Sequence, residues 1–320
     1  MSVSFDVTVE VLWEAWLAFR RGKARSAAIE EFAYYLESNL LDLLADLLGG
    51  SYTHGTYKRF VVTDSKRREI SVAAVRDRVV HRLLYDYLTR VFDHRFSYDA
   101  WSCRKDKGLT AAIKRVQEFA RGFPRAYFWR MDIKKFFDSI HQPALIRFLG
   151  RPGMDERALG VCKLIIRSYA TEPERGMPIG NLTSQIFANV YLNELDRYSA
   201  YCIRPLRYAR YGDDAIFVFP SLDAAKTGRE LAKNFIEKEL SLTINPKSDI
   251  VKPVRWGIKY LGVWIYPSGK GLMNSVRSRI DERLEWANVS SYSGLVSQNE
   301  PERIRALFDW KLYEKIIRRS

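Results

Sequence analysis

The feature that most limits what this 320-residue chain can fold into is Tyr211-Gly212-Asp213-Asp214, set between the short runs Leu206–Tyr211 and Ala215–Phe219. Both runs have the composition of strands, so the residues between them form a hairpin turn. Two adjacent carboxylates at such a turn raise each other's pKa unless a cation lies between them, and a divalent metal removes that repulsion. Taken alone, the tetrapeptide reads equally well as a solvated Gly-Asp turn.

A second acidic position comes at the end of a largely apolar run. Ala126–Ile133, AYFWRMDI, predicts a strand that finishes on Asp132, and Phe136-Phe137-Asp138 follow. Asp132 by itself reads equally as a helix cap. Phosphoryl transfer to a 3′-hydroxyl uses two metal ions about 4 Å apart, bridged by carboxylates from different strands. A strand end beside a hairpin turn supplies that arrangement from Asp132, Asp213 and Asp214, with the backbone carbonyl of Ile133 as a further donor. Oxygen-only ligands suit Mg²⁺, with Mn²⁺ as a substitute. A third element, Gly176–Asp196, is a glycine loop through Pro178 that leads into a helix carrying Ser184 and Gln185. On its own it is an ordinary loop–helix junction.

The surrounding chain reads as mixed α+β. Apolar residues at Ile29, Phe32, Leu36, Leu40, Leu43 and Leu47 predict one helix over Ala27–Leu48, stopped by Gly49-Gly50. Tyr57–Thr63 and Arg68–Val72 predict a hairpin with a basic tip. Helices are expected over Arg76–Arg95, Thr110–Arg121, Asp155–Tyr169 and Leu182–Tyr201, and Ser221 is expected to cap one running to about Leu240. Strands are expected at Leu242–Asn245 and Ile258–Tyr266, and basic helices from Ser275 onward.

Charge narrows the class of partner. Lys and Arg number 52 against 38 Asp and Glu, a net +14 with a pI near 9.6, which points to a polyanion. The positive charge is spread along the chain and interleaved with aromatic residues, which favours nucleic acid over a membrane surface. Cys103, Cys162 and Cys202 are odd in number and form no CxxC pair. That argues against a disulfide framework and a zinc site and fits a reducing, cytoplasmic setting. The histidines (His54, His81, His94, His141) are scattered. The N-terminal residues lack the pattern of a signal peptide, and no apolar run approaches the roughly 18 residues of a membrane span.

In this order, the aspartate followed by Phe-Phe-Asp, the Gly-xxx-Ser loop and Tyr-x-Asp-Asp resemble motifs A, B and C of reverse transcriptases. The resemblance runs over about residues 30 to 290. It implies a right-hand polymerase fold with fingers, an antiparallel-sheet palm and a small helical thumb. The lobes would be a helical extension at 1–50, fingers at 51–125, palm at 126–267 and thumb at 268–320. It implies that Lys66 and Arg68 meet the phosphates of an incoming dNTP, and that Arg104 and Lys107 contact phosphate or template. It makes Lys247, in INPKSDIV, a candidate general acid for the leaving pyrophosphate. Leu261 and Gly262 fall in the primer grip, Tyr211 near the primer end, and Arg277, Arg279 and Arg283 along an RNA–DNA hybrid.

A Tyr-Gly-Asp-Asp turn also occurs in RNA-dependent RNA polymerases. Phe137 stands where reverse transcriptases place an aromatic gate against a 2′-hydroxyl, which favours DNA synthesis, although Asn189 could mimic part of an RNA polymerase's polar network. The run Ile179-Gly180-Asn181-Leu182-Thr183-Ser184-Gln185 resembles the reverse transcriptases of diversity-generating retroelements, as does the N-terminal segment. Such enzymes copy a noncoding template RNA with errors at adenines and work with a small basic accessory protein. By that resemblance Arg68, Ile179, Gly180 and Gln185 line the nucleotide pocket. Gly212 departs from the bulkier residue commoner at its position. A stand-alone reverse transcriptase of antiphage defence, using its own noncoding RNA, is the alternative. A non-catalytic maturase is a remote one, against which the presence of all three aspartates counts.

Overall fold

The computed structural model describes residues 3–63, 67–151 and 153–317. In chain order, α1 (Val9–Arg20), α2 (Ala27–Tyr34) and α3 (Leu36–Gly49) precede the strands β1 (Lys58–Thr63) and β2 (Arg67–Val72) and the helix α4 (Val75–Phe92). Next come α5 (Leu109–Gly122), β3 (Tyr127–Met131), the short α6 (Phe136–Ser139), α7 (Gln142–Leu149), α8 (Glu156–Arg167) and α9 (Leu182–Tyr198). The strands β4 (Arg207–Tyr211) and β5 (Asp214–Phe219), the helix α10 (Leu222–Lys238) and β6 (Ile250–Pro253) follow. The strands β7 (Ile258–Tyr260), β8 (Val263–Tyr266) and β9 (Gly269–Leu272) then lead to α11 (Asn274–Arg283), α12 (Val289–Asn299) and α13 (Glu302–Leu312).

Local chemistry explains both the agreements and the departures from the sequence. Gly50, at φ 74°, ends α3 in the left-handed conformation that glycine permits. The side chains of Ser221 and Asp155 accept hydrogen bonds from Ala224 N–H and from Arg157 and Ala158 N–H, capping α10 and α8. The single helix expected over 27–48 is broken at Tyr35. There the Asn39 amide donates to the Phe32 carbonyl, the group an unbroken helix would offer to Leu36. The strand expected over Ile258–Tyr266 folds back at Leu261 and Gly262, whose φ values are 48° and 83°, and becomes the hairpin β7–β8. At Leu242–Asn245 the expected strand is reduced to a bridge between Ile133 and Ile244. The helix expected to reach Tyr201 passes at Ser199 into a wider turn ending at Ile203. Strands β6 and β9 and helix α7 were not legible in advance.

The chain forms two units, each drawn from three stretches. One comprises residues 1–97, 134–197 and 234–243, the other 98–133, 198–233 and 244–320. In the first unit, α4 buries Val79, Val80, Leu83, Leu84, Tyr87 and Leu88, and β1 pairs antiparallel with β2. In the second, an antiparallel sheet has the order β4-β5-β3-β6, and a separate sheet has the order β7-β8-β9. One face of the first sheet carries Trp129 stacked on Phe217, with ring centroids 4.5 Å apart. α10 lies close to the sheet, since a Cβ on Gly228 would stand 2.4 Å from the Phe219 ring. The other face buries Phe128, Ile216 and Val218 with Ile113, Val116 and Phe119 of α5, each worth roughly 1.5–3 kcal/mol by burial. Among the described residues, no helix is long and apolar enough to cross a membrane.

Candidate active site

The β4–β5 register pairs Tyr211 with Asp214, which leaves Gly212-Asp213 as a two-residue turn. Gly212 has φ 61°, and Asp213 is not in the positive-φ region. A positive φ at the first central residue alone is the type II′ pattern, the one that asks for glycine there. A Cβ on Gly212 would meet nothing within 4 Å, so the backbone dihedral and not space selects glycine. The turn is gripped from behind: Gly212 N–H donates to Ser102 Oγ (2.9 Å), and the buried Arg210 donates through Nη1 to the Gly212 carbonyl (2.9 Å). Backbone bonds from Arg210 N–H to Asp99 and from Trp101 N–H to Arg210 lay residues 99–102 along the edge of β4.

Asp132 comes directly after β3. Its carbonyl accepts from Asn245 N–H (2.8 Å) and its Oδ2 from the Asn245 amide (3.4 Å). The Asp213 carboxyl lies within hydrogen-bonding reach of the Asp132 carboxyl. Its pKa is pushed up to about 7, first by burial and then by the charge of Asp132. Asp214 behaves differently. As the first residue of β5 it points to the same face as Ile216, where Arg130 meets it from β3. Arg130 Nε donates to Oδ1 (3.0 Å) and Nη2 to Oδ2 (2.7 Å). Burial still raises the Asp214 pKa to about 6 against the opposing pull of Arg130.

The three aspartates therefore form a facing pair, Asp132 and Asp213, with Asp214 turned one residue onward into the arginine. Among the described residues, no three His, Cys, Asp or Glu side chains converge as metal ligands. The pair nevertheless fits a divalent cation. Both donors are half-buried carboxylates that repel each other, and an all-oxygen set suits Mg²⁺.

Comparison with known proteins agrees with the order of these elements. A family model described as reverse transcriptase (RNA-dependent DNA polymerase) matches residues 58–265, which include β3, β4, β5, the turn between β4 and β5 and the glycine loop. The chain belongs to the reverse transcriptase family. Protein YkfC of Escherichia coli (strain K12) is 23% identical over 267 residues, covering 69% of this chain and 70% of that protein. The group II intron-encoded protein LtrA of Lactococcus lactis subsp. cremoris is 21% identical over 173 residues, 51% of this chain but only 28% of LtrA. A solved telomerase from Candida albicans, in complex with a fragment of telomeric RNA, is 12% identical with a TM-score of 0.52. That match covers 82% of this chain and 55% of the telomerase chain. It bears on fold alone, and the fold is the right-hand polymerase fold.

The other residues expected to act in this reverse transcriptase fall into two groups. Arg68, Phe137, Ile179, Gly180 and Gln185 belong to the first unit. Arg68 is exposed on β2 opposite Val62, and Gln185 is exposed near the start of α9. The glycine loop is stitched to β2. Ser71 N–H donates to the Ile179 carbonyl (2.9 Å), and the buried Asn181 spans the Ser71 carbonyl (2.8 Å) and Ala73 N–H (3.3 Å). Gly180 has φ 111°, and a Cβ there would stand 2.7 Å from Ile70. Phe137 is half-buried, and its carbonyl accepts from Met177 N–H (2.8 Å). Lys66 lies outside the described residues.

In the second unit, Arg104 donates to the Ala100 carbonyl (3.1 Å), and Lys107 donates to the Tyr98 carbonyl (2.8 Å) beneath the Tyr98 and Trp101 rings. Tyr211 and Leu261 are each half-buried against the same core, and Leu261 and Gly262 make the β7–β8 turn. Lys247 is exposed, with its backbone N–H on Asn245 Oδ1 (3.2 Å). Arg279 and Arg283 lie on α11, whereas Arg277 is committed to the buried Glu300 through bonds of 2.7 and 2.8 Å. Sequence reasoning gave no role to Arg130, Asn181, Ser102 or Arg210. Arg130 carried a signal, being a charge inside an apolar strand two residues before Asp132, and so on the same face.

Proposed function

We propose that this reverse transcriptase is an RNA-directed DNA polymerase that copies a dedicated noncoding RNA within a diversity-generating retroelement, with errors at template adenines. The facing Asp132–Asp213 pair, at the ends of two adjacent strands, carries the polymerase part of this reading. Asp132 and Asp213, with the Ile133 carbonyl, would hold Mg²⁺, or Mn²⁺ in its place, and Asp214 supports them from its seat on Arg130. Metal bound there supplies charge neutralisation for phosphoryl transfer. The chain's own residues do the rest. Tyr211 packs beside the primer end, Leu261 and Gly262 hold it, and Lys247 protonates the leaving pyrophosphate. Arg68, Ile179, Gly180 and Gln185 frame the dNTP, Phe137 excludes its 2′-hydroxyl, and Arg104, Lys107, Arg279 and Arg283 follow the hybrid. In this reading residues 51–125 act as fingers, 126–267 as palm and 268–320 as thumb, in a cytoplasmic setting.

Ser184-Gln185 supports the retroelement role. So does the 1–50 extension, which carries eight acidic residues against four basic ones in a chain of net +14. Its helices α1 and α3 line an apolar groove of about 330 Å³ with Val9, Trp13, Leu36, Leu40 and Leu41, beside Glu37. That chemistry suits a small basic accessory protein rather than RNA. The reading is tested by sequencing cDNA made from the native noncoding RNA. Substitutions concentrated at template adenines are expected. Faithful or repetitive cDNA assigns the chain to antiphage defence instead, and absence of any cDNA removes the polymerase. Phe137→Ala is expected to admit rNTPs, and unchanged rNTP exclusion counts against the gate.

A further inference from the structure

Between Asp249 and Asp281 the chain contains no Asp or Glu, yet it carries Lys252, Arg255, Lys259, Lys270, Arg277 and Arg279. Arg277 is used internally by Glu300. Three of the others gather with aromatic rings on one surface of the second unit. Along β8, Val263 and Ile265 point into the core while Trp264 and Tyr266 point out, their rings stacked at 5.7 Å and 17°. Lys259 sits directly across from Trp264 on β7. Its ammonium is 5.1 Å from the indole centroid, and that of Lys252, from β6, is 4.7 Å away. Trp256 is 61% exposed, with the Arg255 guanidinium 5.9 Å from its ring. Gly257 ties it to this face, since a Cβ there would stand 2.4 Å from the Tyr266 ring. Tyr266 is fixed in turn by Gln117, whose amide donates to its carbonyl (2.5 Å).

We propose that this face, made of Lys252, Arg255, Trp256, Lys259, Trp264 and Tyr266, is a binding site for single-stranded RNA, distinct from the polymerising centre. Alternating rings and cations are what an unpaired strand requires. Bases stack on the aromatic faces, and the cations take the phosphates between them. A duplex hides its base faces and gains nothing from exposed indoles. Among the described residues, no carboxylate pairs with Lys252, Arg255 or Lys259, so these charges are not spent on the fold. Burial first, and then the neighbouring Lys259 ammonium, lower the Lys252 pKa. An anionic membrane is the competing partner, but the outward side chains here are aromatic or cationic, and no aliphatic anchor accompanies them. The inference takes only the identity of the nucleic acid from the polymerase reading, and holds for a chain that synthesises nothing. The site would keep a stretch of template RNA on the protein outside the hybrid.

The test uses the full chain and the Trp256→Ala/Lys259→Ala variant, titrated with a labelled oligo(U) of roughly 12 nucleotides, within the site sizes such surfaces accommodate. Fluorescence anisotropy is expected to show binding weakened about ten-fold or more, as loss of one stacking ring and one phosphate contact implies, with a shallower salt dependence. Thermal melting should be unchanged, and so should primer extension on a saturating short template–primer. Trp256→Phe should retain most of the affinity. Ultraviolet crosslinking of the wild-type chain to 5-bromouracil RNA should map to Trp256 or Trp264. Equal oligo(U) affinity in the double variant, or crosslinks confined to other segments, overturns the proposal. Loss of binding to phosphatidylglycerol vesicles, with oligo(U) binding intact, assigns the face to a membrane and overturns it too. Failed extension by the wild-type chain with intact oligo(U) binding sinks the polymerase reading and leaves this one standing.

Discussion

The glycine loop of the first unit and the acidic turn of the second are both short, and each contains a glycine at positive φ. Opposite kinds of force fix them. The loop is neutral and fully stitched: Asn181 and Ile179 tie it to β2, and Thr183, just beyond it, shares a hydrogen bond of 3.2 Å with the buried His81. Its Gly180 is required twice over, by the neighbouring Ile70 and by its own φ of 111°. The turn carries charge. Asp213 repels Asp132, Asp214 is neutralised by Arg130, and its glycine is dictated by its own dihedral with open space around it. A neutral loop can be fixed by hydrogen bonds, whereas a turn that gathers anionic groups stores repulsion.

The largest expected effect breaks the turn's charge. Asp213→Ala should reduce primer extension on the order of 10³-fold or more, the loss of several kcal/mol of metal-borne stabilisation. Affinity for a template–primer should be unchanged and folding stability unchanged or higher, because one member of a repelling buried pair has been removed. Extension rates in Asp213→Ala and wild type decide the matter. Near-normal synthesis would remove the pair from the site.

Arg130→Met separates the two neighbouring aspartates. It strands the Asp214 carboxylate, whose partner it removes, and should lower the unfolding free energy by about 3 kcal/mol, as for other broken buried pairs. Denaturant melts of Arg130→Met and of Arg130→Met/Asp214→Asn test the cause. The double variant should recover most of the loss, since the unpaired charge is gone.

The stitched side should fail with pH where the turn does not. Burial lowers the His81 pKa to about 3, so the folded chain holds a neutral imidazole that binds a proton only once unfolded. The stability from this site is whole above the unfolded value near 6.5 and falls as pH drops below it, by about 2 kcal/mol at pH 5. The raised Asp213 and Asp214 carboxyls take up protons in the folded chain over the same range and work the other way, so the His81 site is read from a difference. Urea unfolding at pH 7.5 and at pH 5 should show His81→Gln less stable than wild type at the higher pH, with the gap closing by about 2 kcal/mol at the lower; a gap that does not change with pH removes the buried neutral imidazole.

The same division explains what could be read from the sequence. Asp132, Asp213 and Asp214 were legible because their chemistry is unusual: carboxylates at strand ends have few structural uses. The strands β3, β4 and β5 were legible from their apolar runs. Arg130 as the partner of Asp214 was not, because which aspartate faces Asp132 and which meets the arginine depends on one residue of strand phase. The break at Tyr35 was invisible to apolar spacing, which continues smoothly through it, since the cause is a side-chain amide competing for a backbone carbonyl. The reversal at Leu261–Gly262 could have been suspected from the glycine, yet YLGVWI otherwise reads as an unbroken strand. His54 and His81 look scattered along the chain and are 3.0 Å apart in the fold.

The two glycines give the finest comparison. Gly180→Ala meets both obstacles, φ 111° and a Cβ 2.7 Å from Ile70, and should cost about 1–2 kcal/mol. It should also raise the KM for dNTPs more than it lowers kcat. Adding Ile70→Ala removes the contact but not the dihedral, so it should restore part of the KM and little of the stability. A full restoration of both would mean that contact alone selects this glycine.

Gly212→Ala should do least. Its Cβ enters open space, so the only cost is placing an L-residue at φ 61°, about 1 kcal/mol. Extension should continue at close to the wild-type rate, and Gly212→Asn should be milder still, because a short polar side chain tolerates this region. Gly212→Val is the informative extreme. A β-branched residue at positive φ must either strain the turn or convert it to another type, which would move Asp213 relative to Asp132. If Val is tolerated as well as Ala, the turn has alternative geometries that keep the carboxylate pair, and the glycine is not needed to position it. If Ala extends primers and Val does not, with both variants folded, then the dihedral at 212 sets the distance between the two carboxylates.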